Sequence, residues 1–167
     1  MAGERNAQYE RIYAEFRPAL HRLTACYESV PQAREDLLQE ILLAIWKALP
    51  RFRGDCSERA FVFRVAHNRC LSHVWRRAKR PESGCETPEV PDTSIGPEAQ
   101  AIENRRRRAL REAIRQLPLS YRQVILLALE DLSPPEIAAV VGVTENNVAV
   151  RLNRARKALR SILEKTA

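Results

Sequence analysis

The stretch Leu132-Ser133-Pro134-Pro135-Glu136-Ile137-Ala138-Ala139-Val140-Val141-Gly142-Val143-Thr144-Glu145-Asn146-Asn147-Val148 decides how the second half of this chain folds. Proline fixes φ and has no N–H, so Pro135 suits a first helical turn, where that N–H would have no partner. Gly142 can take the positive φ that ends a helix tightly. The Thr144 hydroxyl can then cap the helix that follows. Helix, glycine turn and capped second helix together make a helix-turn-helix, a motif whose second helix reads duplex DNA. The capped helix has its own periodicity: Val148, Leu152, Ala155, Leu159 and Ile162 recur at spacings of four, three, four and three, which buries one stripe. At about 100° per residue the opposite face carries Asn146, Val150, Asn153 and Lys157, flanked by Asn147, Arg151 and Arg154. Asparagine can pair with adenine N6 and N7 together, while arginine suits guanine or phosphate. Asn146, Asn147, Val150, Arg151 and Arg154 are the candidate duplex contacts, and the adjacent asparagines predict an adenine-containing site. The plainer reading, a solvated helix on a basic protein, does not account for turn, cap and periodicity agreeing over some thirty residues.

The rest of the composition agrees with a polyanionic partner. Lys plus Arg number 28 against 21 Asp plus Glu, a net charge of +7, and the excess clusters at Arg76, Arg77, Lys79 and Arg80 and again at Arg105 to Arg108. With 167 residues, 45% of them hydrophobic, the chain has the size of one medium or two small helical domains. It contains no run of eighteen apolar residues, and its start lacks the apolar core of a signal peptide, so neither membrane insertion nor export is expected and the cytoplasm is the expected location. Cys26, Cys56, Cys70 and Cys85 form no CxxC pair, so no disulfide framework or zinc ribbon is indicated. His67, Cys70 and His73 sit three apart on one predicted helix, a spacing that offers metal ligands on one side, but no further ligand stands at a suitable spacing and no metal or other cofactor is expected.

Strand signals are missing throughout, so the fold class is all-α. From Pro81 to Glu98 four prolines, two glycines and five acidic residues occur with no Lys or Arg, which marks a flexible acidic linker between two helical bundles, residues 7–80 and 99–167. In the first bundle, helices are expected from about Tyr9 to Cys26, from Gln32 to Leu49, and from a Ser57 cap to about Lys79. In the second, helices near Gln100 to Gln116 and Tyr121 to Glu130, separated by Pro118, precede the helix-turn-helix.

The Gln32–Leu49 helix has apolar residues on the wrong side. Leu37, Leu38, Ile41, Leu42, Ala44, Ile45, Ala48 and Leu49 span the core face, leaving Asp36, Gln39, Leu43 and Trp46 opposite, with Glu40 and Lys47 beside them. Exposed Leu and Trp among polar groups read as a protein interface; the competing reading packs Trp46 against an end of the first helix. The third helix sets Phe52, Phe61, Phe63 and Trp75 within Arg51, Arg53, Arg64, Arg69, Arg76, Arg77, Lys79 and Arg80. Cations that follow a phosphate backbone and aromatic faces that stack bases are the combination used on single-stranded nucleic acid. Phe61 and Phe63 cannot both face a strand and the interior.

Glu35-Asp36-Leu37-Leu38-Gln39-Glu40, Ala48-Leu49-Pro50-Arg51-Phe52-Arg53-Gly54 and Phe63-Arg64-Val65-Ala66-His67-Asn68-Arg69-Cys70-Leu71 resemble region 2 of the extracytoplasmic-function (ECF) group of bacterial sigma factors. Ile114-Arg115-Gln116-Leu117-Pro118, the helix-turn-helix and Val148 to Leu159 resemble their region 4. The resemblance implies a non-enzymatic initiation subunit that binds core RNA polymerase and promoter DNA and takes no small-molecule substrate. Asp36, Gln39, Glu40 and Leu43, with Trp46 beside them, would meet the β′ clamp helices. Arg51, Phe52, Arg53, Phe61, Arg64, Asn68, Arg76 and Arg77 would take the unpaired strand of the −10 element. Region 4 would bind the β flap and read the −35 duplex. Members are often held by an anti-sigma factor, an expectation that extends to this chain. Departures from the family pattern are Glu58 and Phe61, where an aromatic and Trp are usual, Ala149 in place of Lys or another polar residue, and His67 in place of a frequent Arg. The alternative is a two-domain helix-turn-helix regulator acting without polymerase. An enzyme of nucleic acid metabolism finds no carboxylate cluster, phosphate loop or activated nucleophile to rest on.

Overall fold

A computed structural model describes residues 2–79 and 98–166, and among these every regular element is helical. The bulk of the acidic stretch read as a linker, 81–98, lies outside the described residues, as does Cys85. Three helices form the first bundle: α1 (Ala2–Tyr27), α2 (Pro31–Ala48) and α3 (Glu58–Ala78), with a 3-10 turn Leu49–Arg51 after α2. Four form the second: α4 (Glu98–Gln116), α5 (Leu119–Leu129), α6 (Pro134–Val141) and α7 (Glu145–Thr166). Helix α1 starts seven residues before the expected Tyr9, running through Gly3 and Asn6 with no proline to stop it.

The apolar periodicities land where they should. Ile12, Phe16, Leu20 and Leu23 of α1 close on Leu37, Ile41 and Ile45 of α2 and on Val62, Phe63, Ala66 and Cys70 of α3, all essentially without exposure. Phe16 meets Phe63 edge-on, 6.4 Å between centroids, a favoured aromatic arrangement. In the second bundle Ile114, Leu117, Val124, Leu127, Ile137, Val148, Leu152 and Ala155 form the interior, while Leu159 and Ile162 are only partly covered near the end of α7.

The two bundles expected from the sequence are present, and they are docked on one another rather than held apart. The cluster of buried apolar side chains includes members of both. Arg22 of α1 grips the buried Glu130 at the end of α5 with two hydrogen bonds of 2.9 and 2.7 Å. Arg59 of α3 donates to the Glu130 carbonyl at 3.1 Å, and Arg115 of α4 donates to the Ala25 carbonyl at 3.2 Å. The Arg122 guanidinium lies over the Tyr27 ring.

The bundle interior also holds an imidazole. His67 is 1% exposed and neither ring nitrogen has a hydrogen-bond partner. Burial therefore lowers its pKa from 6.5 to about 4. The unfolded chain binds this proton at a higher pH than the folded one, so stability falls as pH drops through 6.5 toward 4. Between pH 7.5 and 5 the protein is expected to lose on the order of 2 kcal/mol through this group. His67→Leu should lose correspondingly less in urea unfolding at the two pH values, whereas an equal loss in both proteins would exonerate the imidazole.

Candidate nucleic-acid interface

The helix-turn-helix is built as its residues dictate. Ser133 and Glu136 close the start of α6, the Ser133 N–H donating to Glu136 Oε2 at 2.8 Å and its hydroxyl to the same oxygen at 2.9 Å. Gly142 ends α6 at φ +79°, a backbone conformation that side chains with a Cβ rarely adopt. Thr144 accepts a hydrogen bond from the Asn147 N–H at 3.2 Å. With Val148, Leu152 and Ala155 turned inward, Asn146, Asn147, Val150, Asn153, Arg154 and Lys157 stand in solvent and Arg151 is half-buried at their edge. The sequence-derived duplex contacts are thus brought to one open face.

Helix α3 is capped by Ser57, whose hydroxyl accepts from the Ala60 N–H at 3.1 Å. It divides its aromatic residues as its wheel requires: Phe63 is in the core, while Phe61 is half-buried and lies against Phe52, 4.6 Å between ring centroids. At about 100° per residue, Phe61, Arg64, Asn68, Ser72, Trp75, Arg76 and Lys79 fall on one side of the helix. Asn68, Ser72, Arg76 and Lys79 are exposed, and Trp75 is 60% exposed. Arg51 and Arg53 are exposed in the segment that leads to this stripe. Trp75 is the residue that sequence reasoning noticed but left out of the site; its spacing of seven from Asn68 was the available signal.

Arg77 falls on the other side and is bound elsewhere. Its guanidinium contacts Glu28 Oε2, as does His73 Nε2 at 2.7 Å, and the Val30 N–H donates to Glu28 Oε1 at 2.8 Å. Burial alone would raise the Glu28 pKa, but the bonds from His73, Arg77 and Val30 and the Arg77 charge outweigh it and bring the carboxyl down to about 2. Arg77 thus braces Glu28 while 55% of its side chain stays in solvent. With His73 turned to Glu28 and His67 and Cys70 in the interior, the spacing of these three is that of a packed helix face. No group of three or more His, Cys, Asp or Glu suited to a metal occurs among the described residues. Burial pushes the Cys26 thiol up to about 11 and the Cys70 thiol higher still, so neither is a thiolate nucleophile.

On α2, Asp36, Gln39 and Leu43 are exposed on one line, Leu43 by 51%, and Glu40 is half-buried beside them. Trp46 is half-buried under the Arg5 guanidinium, 4.3 Å from the ring centroid, the contact with an end of α1 that the competing sequence reading named. Glu40 is paired with Arg76 of α3 at 2.7 Å, so the α2 face and the α3 stripe share an edge. No sequence signal foretold Arg22–Glu130 or the hydrogen bond from Ser57 to Glu136, which joins the start of α3 to the start of α6.

Comparison with known proteins bears directly on these two bundles. Residues 12–80 match the family model described as Sigma-70 region 2, and residues 107–159 match Sigma-70, region 4. The RNA polymerase sigma-H factor of Pseudomonas aeruginosa is 32% identical over 143 residues, covering 80% of this chain and 74% of the relative. The chain belongs to the ECF sigma factors of bacterial RNA polymerase. The ECF sigma factor ShbA of Streptomyces griseus is 30% identical over 136 residues, 78% of this chain and 71% of its own. The solved structure of CnrH in complex with the cytosolic domain of CnrY superposes with a TM-score of 0.70 at 25% identity, over 97% of this chain and 91% of that one. A sigma factor RpoE in complex with the anti-sigma factor NepR from Bartonella quintana shares the fold at 0.70 and 21% identity, over 94% and 97%. As an ECF sigma factor, the protein binds core RNA polymerase and directs it to promoters through regions 2 and 4; a regulator acting without polymerase is not favoured.

The geometry around Glu28 makes a prediction for this sigma factor. Glu28→Ala leaves the Val30 N–H, the His73 ring and the Arg77 guanidinium without their partner, and it is expected to lower stability by about 2 kcal/mol in urea unfolding. A loss within error of zero would show that the buried carboxylate does not hold the bundle.

Proposed function

We propose that the exposed line on α2 and the two outward stripes divide the work of initiation by residue. Asp36, Gln39, Glu40 and Leu43 dock on the β′ clamp helices. Phe52 and Phe61 make a shelf beside which an unpaired −10 base is held, with Arg51, Arg53, Arg64, Asn68 and Arg76 along the strand and Trp75 added as a second stacking surface. Asn146, Asn147, Val150, Arg151 and Arg154 read the −35 duplex while the second bundle meets the β flap. The protein performs no catalysis of its own and works in the cytoplasm; among the described residues no helix is long and apolar enough to cross a membrane. The observation that carries the reading is that each bundle presents one continuous polar stripe outward, one with stacking aromatics and one without, as unpaired and paired DNA respectively demand.

The docked bundles are the resting form of this machine. Elements at −35 and −10 lie about 25 base pairs apart, roughly 85 Å of B-form DNA at 3.4 Å each. A compact chain of 167 residues has a radius of gyration of only about 15 Å. Touching both elements at once requires the bundles to part. The structural relative bound to an anti-sigma factor supports control of this chain by such a partner as well.

In vitro transcription by core enzyme plus this protein tests the whole reading: promoter-dependent transcripts are expected, and their absence from every bacterial template would overturn it. The double substitution Gln39→Ala and Leu43→Ala is expected to weaken binding to core polymerase at least tenfold with the helical signal unchanged; unaltered affinity would remove the α2 assignment. Asn147→Ala should relax selection at one adenine of the −35 element, worth about 1–3 kcal/mol, in a duplex-binding series. Trp75→Ala should weaken −10 single-strand binding by a similar factor, about 1–3 kcal/mol, whereas Arg77→Ala should leave it nearly unchanged.

A further inference from the structure

Among the described residues five large apolar side chains stay exposed, and one of them, Val150, lies on the outward face of α7, 42% exposed. At about 100° per residue it falls at the centre of that face, with Asn146 and Asn153 on one side of it and Asn147 and Arg154 on the other, all four exposed. Nothing in the fold asks for valine there. A β-branched side chain forms helix less readily than alanine or a straight polar chain, and Val150 does not pack against the core. In a helix valine holds one χ1 rotamer about nine times in ten, so its two methyl groups stand in fixed positions before any partner arrives.

What an isopropyl group can read in a major groove is narrow. Base edges there offer acceptors on the purine N7, guanine O6 and thymine O4, donors on adenine N6 and cytosine N4, and a single apolar group, the thymine C5 methyl. Pressed against an isopropyl group, each polar edge loses its water and gains no partner, which costs free energy. The methyl group instead gains by leaving water. Position sets the register. Val150 lies three residues beyond Asn147, about 4.5 Å along the axis at 1.5 Å per residue, which is between one and two duplex steps of about 3.4 Å. We propose that Val150 reads a thymine methyl in the −35 element, on an A·T pair one or two steps from the adenine held by Asn147. Two A·T pairs thus fall within three consecutive positions, one recognised by an amide and the other by an isopropyl group. The inference rests on the reading that α7 lies in the −35 groove, and adds to it the chemical group that Val150 selects.

The test uses the full-length protein assembled with core polymerase. Promoter fragments randomised across the −35 region are selected for binding. The enriched duplex is then rebuilt with uracil in place of one thymine at a time, a change that removes the methyl and leaves the hydrogen-bonding edges intact. In competition measured on unopened complexes, uracil should matter at one thymine, one or two pairs from the adenine that Asn147→Ala ceases to select. Binding should weaken there about fourfold, the worth of about one buried CH₂, and uracil elsewhere should have no effect. Val150→Ala should weaken the thymine duplex by the same factor, bind thymine and uracil duplexes alike and keep its selection at the Asn147 adenine. Its helical signal should be unchanged, alanine being the better helix former. An enriched site with no thymine in reach, uracil tolerated at every position, or a Val150→Ala protein still sensitive to the methyl would each overturn the assignment. Weaker binding of Val150→Ala to core polymerase, with its methyl response unchanged, would make the valine a protein contact and overturn it too. Loss of all −35 selection would overturn the groove assignment of α7 and the inference with it, whereas intact adenine selection without a methyl response would overturn the inference alone.

Discussion

The carboxylate of Glu28 sits where α1 ends, before α2 begins, and takes hydrogen bonds from the end of α3. A buried anion is stable only when its lone pairs are filled, and here the fill comes from a backbone N–H, an imidazole and a guanidinium. That arrangement fixes the rotation of α3 about its axis. Were α3 turned by one residue, about 100°, Arg77 would lose its partner and the stripe from Phe61 to Lys79 would swing toward α2 or into the core. The outward presentation of Asn68, Trp75 and Arg76 is thus a consequence of where one acid is buried.

The contacts between bundles are of another kind. Arg22 keeps 61% of its side chain in solvent while it holds Glu130, and exposed cations gain little from pairing. The apolar area that the bundles share is joined to polar contacts at its edges, as in interfaces between domains that separate during function. If the bundles part on promoter DNA, as proposed above, a strong lock here would oppose that step. The balance suits a molecule whose docked and extended forms both have tasks.

Local chemistry was legible in the sequence and long-range chemistry was not. Pro135, Gly142 and Thr144 each announce a backbone geometry by their own covalent structure, and the helix-turn-helix has that geometry. The periodicities of α2 and α7 named core faces that are buried or half-buried, because burial at 3.6-residue spacing depends on near neighbours. The partners of Trp46 and Arg77 were not legible for a shared reason: Arg5 and Glu28 lie some forty to fifty residues away, and a wheel drawn for one helix cannot show which side chain another lays over it. The docking of the bundles was unreadable for the same cause, since Arg22 and Glu130 are separated by 108 positions.

The pair between Arg76 and Glu40 puts two ligands' claims on a single exchange. On the proposed reading the cation belongs to the strand-facing stripe of α3 and the anion to the polymerase-facing side of α2, and both are substantially hydrated. A bond of this sort is worth no more than about 1 kcal/mol, so a protein surface that engages Glu40 frees a positive charge beside the strand for almost nothing. On that reading the coupling runs equally both ways, so enzyme and opened DNA each loosen one salt link that the other also needs broken.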